Sequence, residues 1–317
     1  MSLDETDYFG LKYFDEREQP HWLDSEKLIK KQIKRGTYTF YFMVKLYPLH
    51  PSYLFEEVTR YFLSLQLRKD VIDGNLPCTE ETQAILAGYI VQGEFGDYDV
   101  ADHTPGYLDD YPFVLGKSQD FIAKVVEAHK KNKGLTPGHC DRRFLDVAYR
   151  LPLYGIDLHT VMDYMGIPLY LGVSGNGVTV FCGELPELVQ LNNFPWVRVS
   201  AIKYKNKSLV LDMVSQPNQG YDESVIFQVH SRSACKDLWK SCVEHHCFFR
   251  TIKADRRINS TNVFFRRGST FRYSGRTQLK LMEDGVRNTM TRRSGSKKFE
   301  RLTSRHRISS RSLNKTM

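Results

Sequence analysis

Long apolar runs are missing from this 317-residue chain. None approaches the roughly 20 residues needed to span a bilayer, so no membrane-crossing helix is predicted. The opening M-S-L-D-E-T-D-Y-F is acidic and has no apolar centre, unlike a secretion signal. Cysteine is sparse, with six residues at 78, 140, 182, 235, 242 and 247 in no repeating frame. In a chain of this length they read as reduced cytosolic thiols. Internal repeats are also absent.

Catalytic signatures are equally thin. His139-Cys140 hints at the phosphate loop H-C-x-x-G-x-x-R, but the positions of its Gly and Arg hold Arg143 and Asp146. The glycines at 172, 175 and 177 lie between two strand-like runs. A phosphate cradle needs a strand-to-helix turn, so they read as a hairpin. Cys242, His245, His246 and Cys247 crowd one stretch, yet a zinc site wants four converging ligands and no C-x-x-C pair completes the set. Helix packing is the simpler reading. No Ser/His/Asp set has a supporting motif. The chain therefore reads as a non-enzyme with no cofactor and no metal.

Charge is divided unevenly. Residues 251–317 hold 18 Lys+Arg against 4 Asp+Glu, leaving 27 against 33 in residues 1–250. The tail is thus +14 and the body −6, a globular part followed by an arm drawn to acidic surfaces. Nucleic acid would want aromatics among those charges. From Arg276 onward Phe299 is the sole aromatic, so no nucleic-acid partner is expected.

What is present centres on Ala234–Arg250, A-C-K-D-L-W-K-S-C-V-E-H-H-C-F-F-R. Cys235, Leu238, Trp239, Cys242, Val243, His246 and Phe249 recur at helical spacing, with Lys236, Lys240 and Glu244 on the other side. Ser231 is the natural cap. Ahead of this helix the period is two. Leu169–Val173, Val178–Phe181, Trp196–Tyr204, Ser208–Met213 and Ser224–Val229 read as strands separated by Gly-, Asn- and Pro-rich turns.

Earlier still, four helices are predicted: an apolar stripe from Leu54 to Leu65, then Thr79–Glu94, Gln119–Lys130 and Gly138–Leu151. The start of the chain offers a strand pair, Phe9–Asp15 and His21–Leu23. A short helix Ser25–Ile33, capped by Asp24 or Ser25, and a strand Thr37–Leu46 follow. Beyond Arg250 the composition is disorder-like.

Several strings resemble the FERM domain of the protein 4.1 family: W-K-S-C-V-E-H-H-C-F-F-R (239–250), T-R-Y-F-L-S-L-Q-L-R-K-D (59–70), G-N-L-P-C (74–78), G-D-Y-D (96–99), Y-G-I-D-L-H (154–159) and F-P-W (194–196). G-S-T-F-R-Y-S-G-R-T-Q (268–278) and F-E-R-L-T-S-R-H-R-I-S-S-R-S-L (299–313) resemble the FERM-adjacent region. The resemblance implies an α+β, multi-lobe chain. A partial ubiquitin-like lobe (1–47), lacking its first hairpin and main helix, leaves its core partly uncovered. A four-helix, acyl-CoA-binding-protein-like lobe (48–155) and a PH/PTB-like sandwich with a C-terminal helix (156–252) follow. A mostly disordered basic FERM-adjacent tail (253–317) ends the chain.

By the same resemblance the chain is an adaptor at the cytoplasmic face of the plasma membrane. It would join cytoplasmic tails of membrane proteins and anionic phospholipids to the cortical cytoskeleton through peripheral association. The alternatives are the regulatory front of an enzyme such as a FERM-bearing tyrosine phosphatase, and a poorly folded isoform.

Three candidate sites follow. A peptide groove is expected beside the long helix, with Leu209 and Leu211 from a strand and Trp239, Val243 and His246 from the helix. Phosphoinositide contact is expected at Lys27, Lys30, Lys31 and Lys34 and at Lys203, Lys205 and Lys207. The ezrin-like branch uses lysines beside a Trp-Leu pair, where this chain has Asp24 and Glu26. Ser269, Ser304 and Ser310 each follow arginine by two or three residues and are candidate phosphorylation sites for a charge switch.

Overall fold

Three lobes meet around one long helix in the computed structural model, which describes residues 3–33, 38–114, 116–214, 224–249, 271 and 273–291. The first lobe is an antiparallel sheet of β1 (Phe9–Phe14), β2 (Pro20–Trp22) and β3 (Tyr41–Val44), in the order β2-β1-β3. Its registers set Lys12 opposite Trp22 and Phe9 opposite Val44. Asp15 Oδ1 closes the β1–β2 turn by accepting from the amides of Arg17 and Gln19, each at 2.9 Å.

Two local expectations shrink here. The helix predicted over Ser25–Ile33 is only α1 (Ile29–Gln32), whose N-cap position, Leu28, has no polar side chain to cap with; Asp24 Oδ1 accepts from the Glu26 amide and its Oδ2 is held by Lys27 and Lys240. The strand predicted over Thr37–Leu46 is only Tyr41–Val44. Leu11, Phe14, Tyr41 and Phe42 remain exposed.

The second lobe is four helices: α2 (Glu57–Ile72), α3 (Glu80–Phe95), α4 (Gln119–Lys131) and α5 (Pro137–Ala148). Side-chain oxygens of Thr79, Ser118 and Thr136 cap the last three by accepting from the third amide beyond each. Leu63, Leu67, Leu86, Ile90, Phe121 and Phe144 fill the bundle, each worth about 1.5–3 kcal/mol when buried. His139 and Cys140 lie in the first turn of α5, with Cys140 buried.

The third lobe is one seven-stranded antiparallel sheet in the order β7-β6-β5-β4-β10-β9-β8. Its strands are β4 (Asp157–Met162), β5 (Pro168–Ser174), β6 (Gly177–Cys182), β7 (Val189–Pro195), β8 (Val199–Lys205), β9 (Ser208–Met213) and β10 (Ser224–Gln228). Strands β4 and β7 were not predicted, since D-L-H-T-V-M and V-Q-L-N-N-F-P lack a clean alternation of apolar and polar residues. The glycine stretch 172–177 does form the β5–β6 hairpin, with Ser174 opposite Gly177. Trp196 belongs to a single 3-10 turn rather than to the following strand, and its indole N–H donates to Ser174 O at 2.9 Å.

Helix α6 (Arg232–Phe249) closes this sheet, and Ser231 Oγ accepts from the Ala234 amide at 3.1 Å as its cap. Within the tail expected to be mostly disordered (253–317), Gln278–Thr291 is an ordered exception. That segment forms helix α7, with Thr277 Oγ1 accepting from the Lys280 amide and Leu281 buried against the body. Its packing face is Gln278, Leu281, Met282 and Gly285, a helical stripe hidden within polar composition. At Gly285 a β-carbon would come 2.2 Å from the Phe55 ring, so only glycine allows this approach.

Candidate functional site

Helix α6 organises the site because it is buried on two faces. Cys235, Leu238, Trp239, Cys242, Val243, His246 and Phe249 are all buried, as their spacing predicts. Trp239 fixes the helix to the sheet, its indole N–H donating to Ile202 O of β8 at 3.1 Å while Tyr204 packs 5.0 Å away. His246 meets Trp196 edge-on at 5.5 Å. Burial drives the Cys242 thiol far above its ordinary value, as befits a core residue.

The other side of the helix, where the spacing puts Lys240 and Glu244, is not left to solvent at these two residues. Asp237, Lys240, Ser241, Glu244 and His245 instead turn towards the first lobe and β4. Lys45 Nζ lies 2.6 Å from Glu244 Oε1, and both side chains are less than one-fifth exposed. Lys240 reaches Asp24 at 3.2 Å. The His21 ring spans Asp237 (3.0 Å) and Asp15 (3.2 Å) and has a raised pKa, chiefly from the hydrogen bond to Asp237.

Ser241 Oγ donates to Asp157 Oδ2 at 2.9 Å, and His159 Nε2 lies 2.9 Å from the same oxygen. Asp157 stands at the wall of a cleft of about 400 Å³ between the lobes. Burial would raise its pKa, but the neighbouring His159 charge and hydrogen bond outweigh that and hold it ionised. His245 donates through Nδ1 to Ser241 O at 2.8 Å, and burial lowers its pKa to about 4, so it is neutral at pH 7. Among the described residues no group of three or more His, Cys, Asp or Glu is arranged to hold a metal.

The five residues expected to line a peptide groove belong to the core. Leu209 and Leu211 are fully buried, and Trp239, Val243 and His246 nearly so. The physical reason lies in the strand order, where β9 is flanked by β10 and β8 and turns alternate side chains inward. The sheet edge beside α6 is β8. Its outer edge has no partner strand among the described residues, and Lys203 and Lys205 point outward along it. A charge introduced at His246 therefore breaks packing before it can report on binding.

The lysines divide. Lys203 is paired with Asp212 across the strands, whereas Lys205 and Lys207 are exposed with no ion pair among the described residues. Lys27 is engaged by Asp24 at 2.5 Å, Lys30 and Lys31 are exposed on α1, and Lys34 lies outside the described residues. The two sets fall on different lobes. Ser269, Ser304 and Ser310 lie outside the described residues.

Sequence reasoning missed a clasp made by Phe271, Ser274 and Arg276. Phe271 packs 5.9 Å from Trp239, with the Lys240 ammonium 5.1 Å over the Phe271 ring. Arg276 grips Asp7 through Nε (2.9 Å) and Nη2 (2.8 Å), and its amide donates to the other Asp7 oxygen at 2.7 Å. Ser274 Oγ donates to Glu26 at 3.1 Å. The signal was present in the alternation of aromatic and arginine in F-R-Y-S-G-R, ahead of the Thr277 cap.

A small sheet lobe, a four-helix lobe and a helix-closed sheet lobe, joined through the last helix, define a FERM domain. The FERM N-terminal domain matches residues 1–35, the FERM central domain 50–159 and the FERM C-terminal PH-like domain 163–257. The chain belongs to the FERM proteins of the protein 4.1 family. It is 41% identical to protein 4.1 of Bos taurus over 283 residues, which is 89% of this chain and 45% of that protein. It is 37% identical to the protein 4.1 homolog of Drosophila melanogaster over 314 residues, 99% of this chain and 18% of that one. The chain thus spans less than half the length of these relatives. A crystal structure of the FERM and C-terminal domain complex of Drosophila Merlin shares the fold, with TM-score 0.70 and 22% identity over 78% of this chain and 85% of that one.

Proposed function

We propose that the chain is a non-catalytic adaptor that ties cytoplasmic tails of membrane proteins, and an anionic leaflet, to the cortical cytoskeleton. The observation that carries this reading is the β8 edge beside α6, together with membership of the protein 4.1 family. An extended tail adds there as an eighth strand. Main-chain hydrogen bonds supply affinity, and the groove between edge and helix reads the side chains. The tail contacts the backbone of Val199–Lys205 and the half-buried Tyr204, while Leu209, Leu211, Trp239, Val243 and His246 support it from behind.

Peripheral attachment suits the fold, since no described helix is long and apolar enough to cross a membrane. Lys205 and Lys207 on the third lobe and Lys30 and Lys31 on the first supply the attraction to anionic lipid, each worth about 1 kcal/mol near the surface. Titration of the full chain with a panel of synthetic juxtamembrane tails, read by calorimetry, tests the adaptor role. Micromolar binding of at least one tail is expected. If every tail in a broad panel fails to bind, the reading is wrong.

A further inference from the structure

Phe271 sits on the helix that carries the proposed tail groove. It is half-buried, with its ring 5.9 Å from the Trp239 indole and the Lys240 ammonium 5.1 Å over it. Two residues on, the Tyr273 ring meets Phe248 at 6.5 Å, its phenol lies near the Glu244 carboxylate, and its hydroxyl donates to Arg276 O at 2.9 Å. Trp239 and Phe248 are separated by about 13 Å along α6. From Phe271 to Tyr273 the chain therefore runs along the helix, beside Lys240 and Glu244.

Trp239 is shared between this stretch and the groove. Its N–H holds Ile202 O of β8, Tyr204 of β8 packs 5.0 Å from it, and Phe271 takes another part of the same indole. A tail added along β8 passes Tyr204 and reaches the indole from that side, where Phe271 already stands. The seat suits an aromatic ring. Trp239 meets Phe271 at 70°, an edge-on geometry that aromatic pairs prefer, and an ammonium over a ring face is attracted by its quadrupole. A cleft of about 100 Å³ stays open beside Phe271, with Trp22, Asp24, Lys240 and Glu244 in its wall, so a larger ring also fits.

The fastening lies elsewhere. Arg276 holds Asp7 at 2.8–2.9 Å and donates to Asp4 O, and Ser274 Oγ donates to Glu26 at 3.1 Å, all on the first lobe and its approach. Phe271 can thus be lifted from its seat without opening the sheet of the third lobe.

We propose that Phe271 is an internal competitor for the tail: the closed clasp fills an aromatic subsite at Trp239, and a tail binds by seating an aromatic side chain of its own there. The inference rests on the adaptor reading, with the tail along β8. It adds the chemistry of one tail residue and a control on affinity. A site that is free only a fraction of the time binds with its affinity reduced by that fraction, so a clasp open about one-tenth of the time weakens the tail about tenfold.

Calorimetry on the full chain, with synthetic juxtamembrane tails that each contain one phenylalanine or tyrosine, tests it. Phe271→Ala empties the seat and Arg276→Ala unfastens it from the first lobe, so each should bind such a tail about tenfold more tightly than the wild type. Phe271→Trp keeps a ring in the seat and should stay near wild-type affinity. Alanine in place of the tail aromatic should weaken binding to Phe271→Ala by about tenfold. Equal affinity of a tail for the wild type, Phe271→Ala and Arg276→Ala, or tighter binding by the wild type, overturns the inference and leaves the adaptor reading standing. Binding of no tail to any of these chains overturns the adaptor reading, and the inference with it.

Discussion

Removing the Arg276 side chain should release helix α7 from the body without unfolding the rest. Arg276 holds Asp7 through two nitrogens at 2.8–2.9 Å, and the Asp7 side chain is only 11% exposed. A hydrogen bond to a charged group contributes about 1.5–3 kcal/mol when dry. Arg276 is itself 36% exposed, so solvent screening discounts the sum, and the Arg276 amide still reaches Asp7 in the variant. A net loss of about 2 kcal/mol is the reasonable figure for Arg276→Ala, equivalent to roughly a 30-fold shift in a local opening equilibrium. Hydrogen exchange reads that equilibrium directly. Amides of Gln278–Thr291 should exchange about 30-fold faster, while those of α3 and β5 are unchanged. Asp7→Ala should act on the same amides, and the double variant should fall short of the sum of the two singles by about 1–2 kcal/mol. Unchanged α7 exchange in both single variants would refute the clasp.

Three further outcomes are expected. Trp239→Ala should cost about 3–5 kcal/mol of stability in a urea melt, since the indole is buried and bonded to Ile202; a stable variant that only loses tail binding contradicts the core assignment. Stability should peak near neutral pH. His245 is depressed to about 4 against roughly 6.5 unfolded, so the unfolded chain binds more protons in that window and stability falls as pH drops through it. His21 is raised, so its contribution is full below about pH 6.5 and is lost as pH rises through its folded value. Urea midpoints between pH 4.5 and 8.5 should show both limbs, flattened on the acid side by His245→Gln and on the alkaline side by His21→Gln; identical profiles reject the assignment. Glutamate at Ser269, Ser304 and Ser310 together should weaken vesicle binding most at low salt, by subtracting charge from the +14 tail, and equal binding across a salt series removes the switch.

Much of the architecture was legible because it rests on periodicity and caps. Thr79, Ser231 and the apolar spacing from Cys235 to Phe249 gave the helices nearly to the residue. Strands β4 and β7 escaped because neither alternates apolar and polar residues cleanly: β4 is completed by neighbours on both sides and needs little pattern of its own, and β7 is a largely exposed edge strand paired only with β6. The groove residues were misplaced for a related reason. Alternation shows that Leu209 and Leu211 share a face, but only the strand order tells that β9 is internal and β8 is the edge. Periodicity along one helix picks out one buried face and leaves Lys240 and Glu244 on the other side without a partner. Spacing of Asp237, Lys240, Ser241, Glu244 and His245 at i, i+3, i+4, i+7 and i+8 already described a second one. Helix α7 was hidden by composition, since its stripe of Gln278, Leu281, Met282 and Gly285 is only half apolar and relies on Phe55 to complete it.

The most direct test of the central claim is hydrogen exchange across the third lobe of the full chain, with and without a bound cytoplasmic-tail peptide. Strand addition predicts that amides of Val199–Lys205 gain protection, because the outward N–H groups of β8 acquire partners. Internal β9 and the buried face of α6 should change little. Protection confined to the cleft near Asp157, or to the helical lobe, with β8 unaffected, would contradict the account.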